Sequence, residues 1–265
     1  MTAPAILALD FDGVLCDGLI EYFQTSWRAY CQLFLDAESA PPEGLAAQFY
    51  PLRPVIETGW EMPLLLHALQ QGVSAEAVLD HWPTLVQALL ADTSLQPDVA
   101  MAAVDGVRDH WIKTDLDSWL SLHRFYPGVI DRLQGAIAAG IFPIIISTKE
   151  GRFIQALLAQ AGVDLPREQI IGKEINQPKT DTLRQLRQSS AAEVSGPVPI
   201  WFVEDRLKTL DKVKAVDDLQ DIVLFLADWG YNTAAERARA AIDSRIHLLS
   251  LSQLVREFSG WQAAA

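Results

Sequence analysis

Apolar residues along this chain follow two rhythms. Near the N-terminus and beyond residue 123, short unbroken apolar runs alternate with stretches whose apolar positions recur every three or four residues; in between, only the second rhythm is found. The unbroken runs are Ala5–Leu9, Ile141–Ile146, Ile200–Val203 and Ile222–Ala227; Gln169–Gly172 and Ile246–Leu249 read as two further short strands. A run that is apolar at every position predicts a strand covered on both faces, as in a parallel sheet. Helices are predicted from Pro127-Gly128 to Ala139, and over Arg152–Ala161, Pro178–Gln188, Leu207–Val216, Ala234–Ile242 and Leu251–Phe258. Ser189–Pro199 reads as a loop and Ala263–Ala265 as a fraying tail, while Gly140 and Gly162 are placed to end their helices. Strands alternating with helices predict an α/β fold with a doubly wound parallel sheet.

The stretch from Asp17 to His123 interrupts this alternation. Leu19, Tyr22, Phe23, Trp27, Tyr30, Cys31 and Phe34 share one face at helical spacing, a Pro-rich connector follows (Pro41, Pro42, Pro51, Pro54), and further helical patterns cover Glu61–Gln71, Ala75–Ala91, Pro97–Ile112 and Asp115–Leu122. Ser74 is placed to cap the Ala75 helix, and Pro83 to kink it. Five of the eight tryptophans (Trp27, Trp60, Trp82, Trp111, Trp119) fall here, as in a helical unit cored by aromatics. The predicted organisation is therefore an α/β core of residues 1–16 and 124–265, with an all-helical cap domain of residues 17–123 inserted after the first strand. An insertion at that point is placed to act as a lid.

Charge and cysteine usage narrow the functional classes. A net charge of −13 over 265 residues argues against a nucleic-acid or anionic-membrane partner. Only Cys16 and Cys31 are present, which gives no disulfide framework and suggests a reducing, cytoplasmic setting. The first strand begins within a few residues of Met1, leaving no room for a targeting peptide, and no apolar run approaches the ~20 residues that span a bilayer. The chain is expected to be a monomer or small homo-oligomer.

The first strand runs directly into Asp10-Phe11-Asp12-Gly13. Ligands of open α/β sheets bind outside the carboxyl ends of the strands, and two carboxylates crowded there call for a cation. The other strand ends add Ser147-Thr148-Lys149, Glu204-Asp205 and Asp228-Trp229-Gly230-Tyr231-Asn232-Thr233, and Lys179 stands at a helix start. Carboxylates, hydroxyls and lysines on one edge suit phosphoryl transfer: a carboxylate nucleophile, a second carboxylate as acid and base, a divalent metal, and donors for the phosphoryl oxygens.

In this ordered set the chain resembles the haloacid dehalogenase superfamily, in the branch of phosphoglycolate phosphatases and β-phosphoglucomutases with a helical cap after the first core strand. The resemblance rests on Asp10-Phe11-Asp12-Gly13-Val14, Tyr126-Pro127-Gly128-Val129, Ile144-Ile145-Ile146-Ser147, Pro178-Lys179 and Phe202-Val203-Glu204-Asp205. It implies a Rossmann-like core and a Mg2+-dependent phosphatase acting on a small phosphorylated metabolite, with Asp10 as nucleophile and Asp12 as general acid/base. Ser147 would hold the phosphoryl group and Lys179 neutralise it, with Asp205 and Glu204 holding the metal together with Asp10 and the backbone carbonyl of Asp12. Thr148 and Lys149 compete with Ser147, Lys173 with Lys179, and Asp211 is a further acidic candidate. Glu204 replaces a glycine common in the family. Arg53 is a candidate for substrate selection, against a plain surface ion pair; His67, His81 and His110 read as structural. A phosphomutase using the same residues and a non-catalytic binding protein are the competing functions.

Overall fold

The computed structural model describes residues 3–35, 39–193 and 198–261. The chain divides into two compact units, residues 1–17 with 124–265, and residues 18–123. Strand β1 (Ile6–Leu9) is followed by the two-residue β2 (Cys16–Asp17). Six helices come next: α1 (Leu19–Phe34), α2 (Leu45–Phe49), α3 (Glu61–Gln70), α4 (Ala75–Thr93), α5 (Pro97–Thr114) and α6 (Leu116–Leu120). The chain then returns through β3 (Arg124–Phe125), α7 (Val129–Ala138), β4 (Phe142–Ile146), α8 (Gly151–Gln160), β5 (Ile170–Ile171) and α9 (Lys179–Glu193). It ends with β6 (Ile200–Glu204), α10 (Leu207–Lys214), β7 (Val223–Ala227), α11 (Ala234–Ala241), β8 (Ile246–Leu249) and α12 (Leu251–Leu254).

In the first unit, six strands form one sheet in the order β5-β4-β1-β6-β7-β8, with every pair parallel. Both faces are covered, which is why the strands read as unbroken apolar runs. Ile6, Ala8, Ile144, Ile146, Phe202 and Leu224 cluster with Leu183 of α9 and Leu207, Leu210 and Val213 of α10. On the other face Trp201 packs against Phe225, Phe258 and Trp261, with ring centroids 5.0–5.6 Å apart. That packing also corrects the expected closing helix. The chain leaves the helix after Leu254 and makes a 3-10 turn over Phe258–Gly260, which brings Phe258 and Trp261 back onto Trp201.

The boundary drawn after Cys16 moves by one residue. Cys16 and Asp17 pair with Phe125 and Arg124 in a small antiparallel ribbon, so Asp17 belongs with the sheet unit. Helix α9 runs through the expected loop as far as Glu193; residues 194–197 of that loop and the Ala263–Ala265 tail lie outside the described residues.

In the second unit the described residues form helices and turns only. Its core joins Phe23, Trp27, Tyr30 and Cys31 of α1 to Phe49, Leu52, Leu64–Leu66, Trp82 and Val104. The Pro-rich connector is more ordered than its prolines suggest: Leu45, Phe49 and Leu52 fall at i, i+4 and i+7, and bury themselves in α2 and a 3-10 turn over Tyr50–Val55. Ser74 caps α4 by accepting from the Ala77 N–H, and the helix is interrupted at His81, two residues before Pro83. No helix among the described residues is long and apolar enough to cross a membrane.

Candidate active site

All six strands of the sheet point the same way, so their carboxyl ends share an edge, and the register sets the height of each residue there. Leu9 lies opposite Ile145 on one side and Val203 on the other. The Asp10 N–H extends this pairing by donating to Val203 O at 2.9 Å, which levels Asp10 with Glu204. Beyond it the chain turns sharply: Leu15 and Cys16 N–H both donate to Phe11 O at 2.9 Å, and Gly13 takes φ +83°. A side chain would meet strain at that φ.

Three carboxylates converge at this edge. Oxygens of Asp10, Glu204 and Asp205 lie within 4.8 Å of one another, and all three residues are buried. Asp10 Oδ1 accepts from the Phe11 N–H at 2.7 Å. The Lys179 ammonium stands between two of the acids, 2.9 Å from Asp10 Oδ2 and 2.7 Å from Glu204 Oε2. Glu204 Oε1 accepts from the Arg206 N–H at 3.0 Å, and Asp205 Oδ2 from the Tyr231 N–H at 2.7 Å.

Burial pushes the Asp10 carboxyl up to about 7; the Glu204 charge adds to the rise and Lys179 opposes it. Asp205 is pushed up to about 6 by burial and then by the Asp10 charge. Glu204 is raised by burial, with Lys179 opposing and Asp205 assisting. Burial alone would lower the Lys179 ammonium, but Asp10 and Glu204 outweigh it and hold it above its ordinary value. Three buried acids against one lysine leave excess negative charge, and the donor set is all oxygen. Asp10, Glu204 and Asp205 therefore fit a hard divalent cation.

The other expected residues separate. Asp12 does not join the carboxylate group through its side chain: its two oxygens accept from Lys149 Nζ at 3.2 and 3.3 Å. Ser147 is buried and its hydroxyl accepts from the Lys149 N–H at 3.2 Å, while Thr148 is exposed. Of the two rival lysines, Lys179 is at the acids and Lys173 is exposed. Asp211 pairs with Lys214 and Arg239 along the outside of α10, away from an acidic role at the site. Arg53 lies in the helical unit, donating to Ile56 O at 3.2 Å with its guanidinium 4.6 Å from the centre of the Tyr22 ring. His67 stacks on Phe34 in the same unit.

The loop after β7 does more than pack the sheet edge. Besides the Tyr231 N–H on Asp205, Asn232 Nδ2 donates to Asp205 O at 2.9 Å and to Ala227 O at 2.7 Å. Trp229 Nε1 donates to Val14 O, and Tyr231 OH to Asp17 Oδ1, both at 3.1 Å. Gly230 is needed for fit: a Cβ there would lie 2.3 Å from Asp205 Cβ and 2.6 Å from Gly13 O. Gly230 and Asn232, in the loop that follows the end of β7 at Ala227, are the signal that sequence offered for this cradle.

No protein-family profile matches the chain, and no curated protein is similar to it in sequence. Solved structures are similar to it over nearly its whole length. A haloacid dehalogenase-like family hydrolase from Streptococcus pneumoniae aligns with a TM-score of 0.55 at 14% identity, covering 95% of this chain and 95% of its own. A protein described as a predicted phosphatase from Clostridium acetobutylicum aligns with a TM-score of 0.55 at 15% identity, covering 96% of this chain and 97% of its own. One described as a predicted phosphoglycolate phosphatase from Haemophilus somnus aligns with a TM-score of 0.54 at 15% identity, covering 88% of each chain. With its parallel sheet, the helical unit inserted after the first strand, and the acids gathered at the strand ends, the chain has the haloacid dehalogenase-like fold.

Proposed function

We propose that this protein hydrolyses a small phosphomonoester through a covalent aspartyl-phosphate on Asp10, with Mg2+ as its metal. The observation that carries the reading is the Lys179 ammonium held between Asp10 and Glu204, with Asp205 in the same buried group. Phosphoryl transfer needs a nucleophile and positive charge for the phosphoryl oxygens side by side, and this arrangement supplies both.

Asp10, Glu204, Asp205 and the carbonyl of Asp12 would hold the Mg2+, which when bound neutralises the acids and the phosphoryl oxygens. An Asp10 carboxylate oxygen attacks phosphorus as the ester P–O bond breaks, and Asp12 gives its proton to the leaving oxygen. Water then attacks the phosphoryl group and loses a proton to Asp12. The bond to Asp10 breaks, its electron pair returning to the carboxylate, and inorganic phosphate leaves. Lys179 and the Ser147 hydroxyl hold phosphoryl oxygens through both steps.

The test is turnover of p-nitrophenyl phosphate and a panel of small phosphate esters with Mg2+, with chelator, and in Asp10→Asn. Activity is expected only with metal, and Asp10→Asn is expected to lose it while remaining folded by circular dichroism. Full activity in Asp10→Asn, or none in the wild type toward any ester, would reject the reading.

A further inference from the structure

Two lysines, Lys149 just after β4 and Lys179 at the start of α9, divide the acids between them: Lys179 takes Asp10 and Glu204, and Lys149 takes Asp12. Lys149 Nζ lies 3.2 and 3.3 Å from the two oxygens of Asp12, so the ammonium sits close to the bisector of the carboxylate. Both side chains are largely withdrawn from solvent, 9% and 16% exposed. Both oxygens share this one donor, so the contact tethers the Asp12 carboxylate to the turn after β4 and opposes its swinging away to another rotamer.

The backbone of Lys149 is itself held on both sides. Its N–H donates to Ser147 Oγ at 3.2 Å, and its carbonyl accepts from the Lys173 N–H at 3.0 Å. One turn after β4 therefore fixes the hydroxyl assigned to the phosphoryl group and, through the Lys149 side chain, the acid/base carboxylate. Proton transfer is steeply sensitive to the placement of its donor and acceptor, so such a hold bears on rate rather than on binding.

We propose that Lys149 is a positioning residue that orients Asp12 for proton transfer, and is not itself a ligand of the substrate phosphate. This rests on the phosphomonoesterase reading above. A residue acting through Asp12 must share the kinetic signature of Asp12. Protonation of the leaving oxygen matters most for an alkyl phosphate, whose alkoxide is a poor leaving group, and least for p-nitrophenyl phosphate.

The experiment compares kcat/KM for an alkyl phosphate and for p-nitrophenyl phosphate in the wild type, Lys149→Met, Lys149→Arg, Asp12→Asn and the Asp12→Asn/Lys149→Met double variant, each checked for folding by circular dichroism. Lys149→Met is expected to lose at least tenfold more on the alkyl ester than on the aryl ester, with inhibition by inorganic phosphate unchanged. Lys149→Arg should recover part of that loss. In the double variant, Lys149→Met should add less than threefold to the loss from Asp12→Asn. Equal losses on both esters, or weakened inhibition by inorganic phosphate, overturn the proposal while leaving the function intact. A wild type that turns over neither ester overturns the function and the catalytic use of the pair together.

Discussion

Gly13 lies so close to Asp205 that a Cβ on Gly13 would stand 2.1 Å from Asp205 Oδ2. The backbone of the turn after β1 and an acid from the end of β6 are thus fitted against each other, and Gly13 also has φ +83°. Gly13→Ala carries two costs, about 1 kcal/mol or more for the left-handed backbone and the displacement of a buried carboxylate. Gly162→Ala isolates the first, since Gly162 has φ +77° with nothing within 4 Å of its added Cβ. The expected outcome is a larger fall in melting temperature for Gly13→Ala than for Gly162→Ala, and Mg2+ affinity weakened at least tenfold in Gly13→Ala alone. Calorimetric titration with Mg2+ and thermal melts of the two variants check this.

Acidity at the carboxylate group links metal binding to pH. Asp10 is raised to about 7 and Asp205 to about 6, both above 3.8, and burial is the main cause. The folded, metal-free protein therefore holds more protons than the unfolded chain between about pH 4 and pH 7. Its stability is favoured below that window and falls as pH rises through it. A cation takes up the deprotonated acids, so the gain in melting temperature with saturating Mg2+ should be greater at pH 8 than at pH 5. Binding near pH 6.5 should release protons. Thermal melts at both pH values, and calorimetry in buffers of different ionisation enthalpy, decide it; a larger gain at pH 5 would reverse the assignment.

Lys179 balances those acids in the metal-free protein. Breaking a buried pair by removing one partner leaves an uncompensated charge and costs about 3–5 kcal/mol. Lys179→Met takes the partner from both Asp10 and Glu204 at once. Urea unfolding of metal-free protein should show a loss of that order at pH 8, smaller at pH 5, where the raised acids take up protons instead. A loss that does not change with pH would place the cost in packing rather than charge.

Much of this was legible in the sequence because burial on both faces of a sheet leaves a local mark. The run Ala5–Leu9 and its counterparts locate the parallel strands, and Asp10-Phe11-Asp12-Gly13 follows at a strand end, where chemistry belongs. What periodicity does not encode is pairing between distant residues. The Cys16–Asp17 ribbon with Arg124–Phe125 is two residues long on each side, too short to have a rhythm. The Asp12–Lys149 contact joins side chains 137 positions apart. The Asp205 carboxylate, as distinct from its carbonyl, is held by the main-chain N–H of Tyr231, a donor that every residue except proline carries. Such a donor leaves no trace in residue identity.

The helical unit has its own buried charge. Glu21, 1% exposed, accepts from Arg108 Nε at 2.8 Å and Nη2 at 3.2 Å, from Trp119 Nε1 at 3.1 Å and from Thr25 Oγ1 at 2.8 Å. It ties α1 to α5 and α6, elements that are far apart in sequence. Glu21→Gln keeps the shape but removes the charge from beside the guanidinium and replaces an acceptor with an amide donor. The expected loss, by urea unfolding, is about 3 kcal/mol or more. Arg187→Ala removes an exposed pair with Asp221, 43% and 41% accessible, and should lower stability far less than Glu21→Gln. Replacing both partners with apolar groups, Glu21→Leu with Arg108→Met, should recover part of the Glu21→Gln loss, because it also removes the need to desolvate the charges. A double variant weaker than Glu21→Gln would mean that the four donors to Glu21 matter more than the charge they surround.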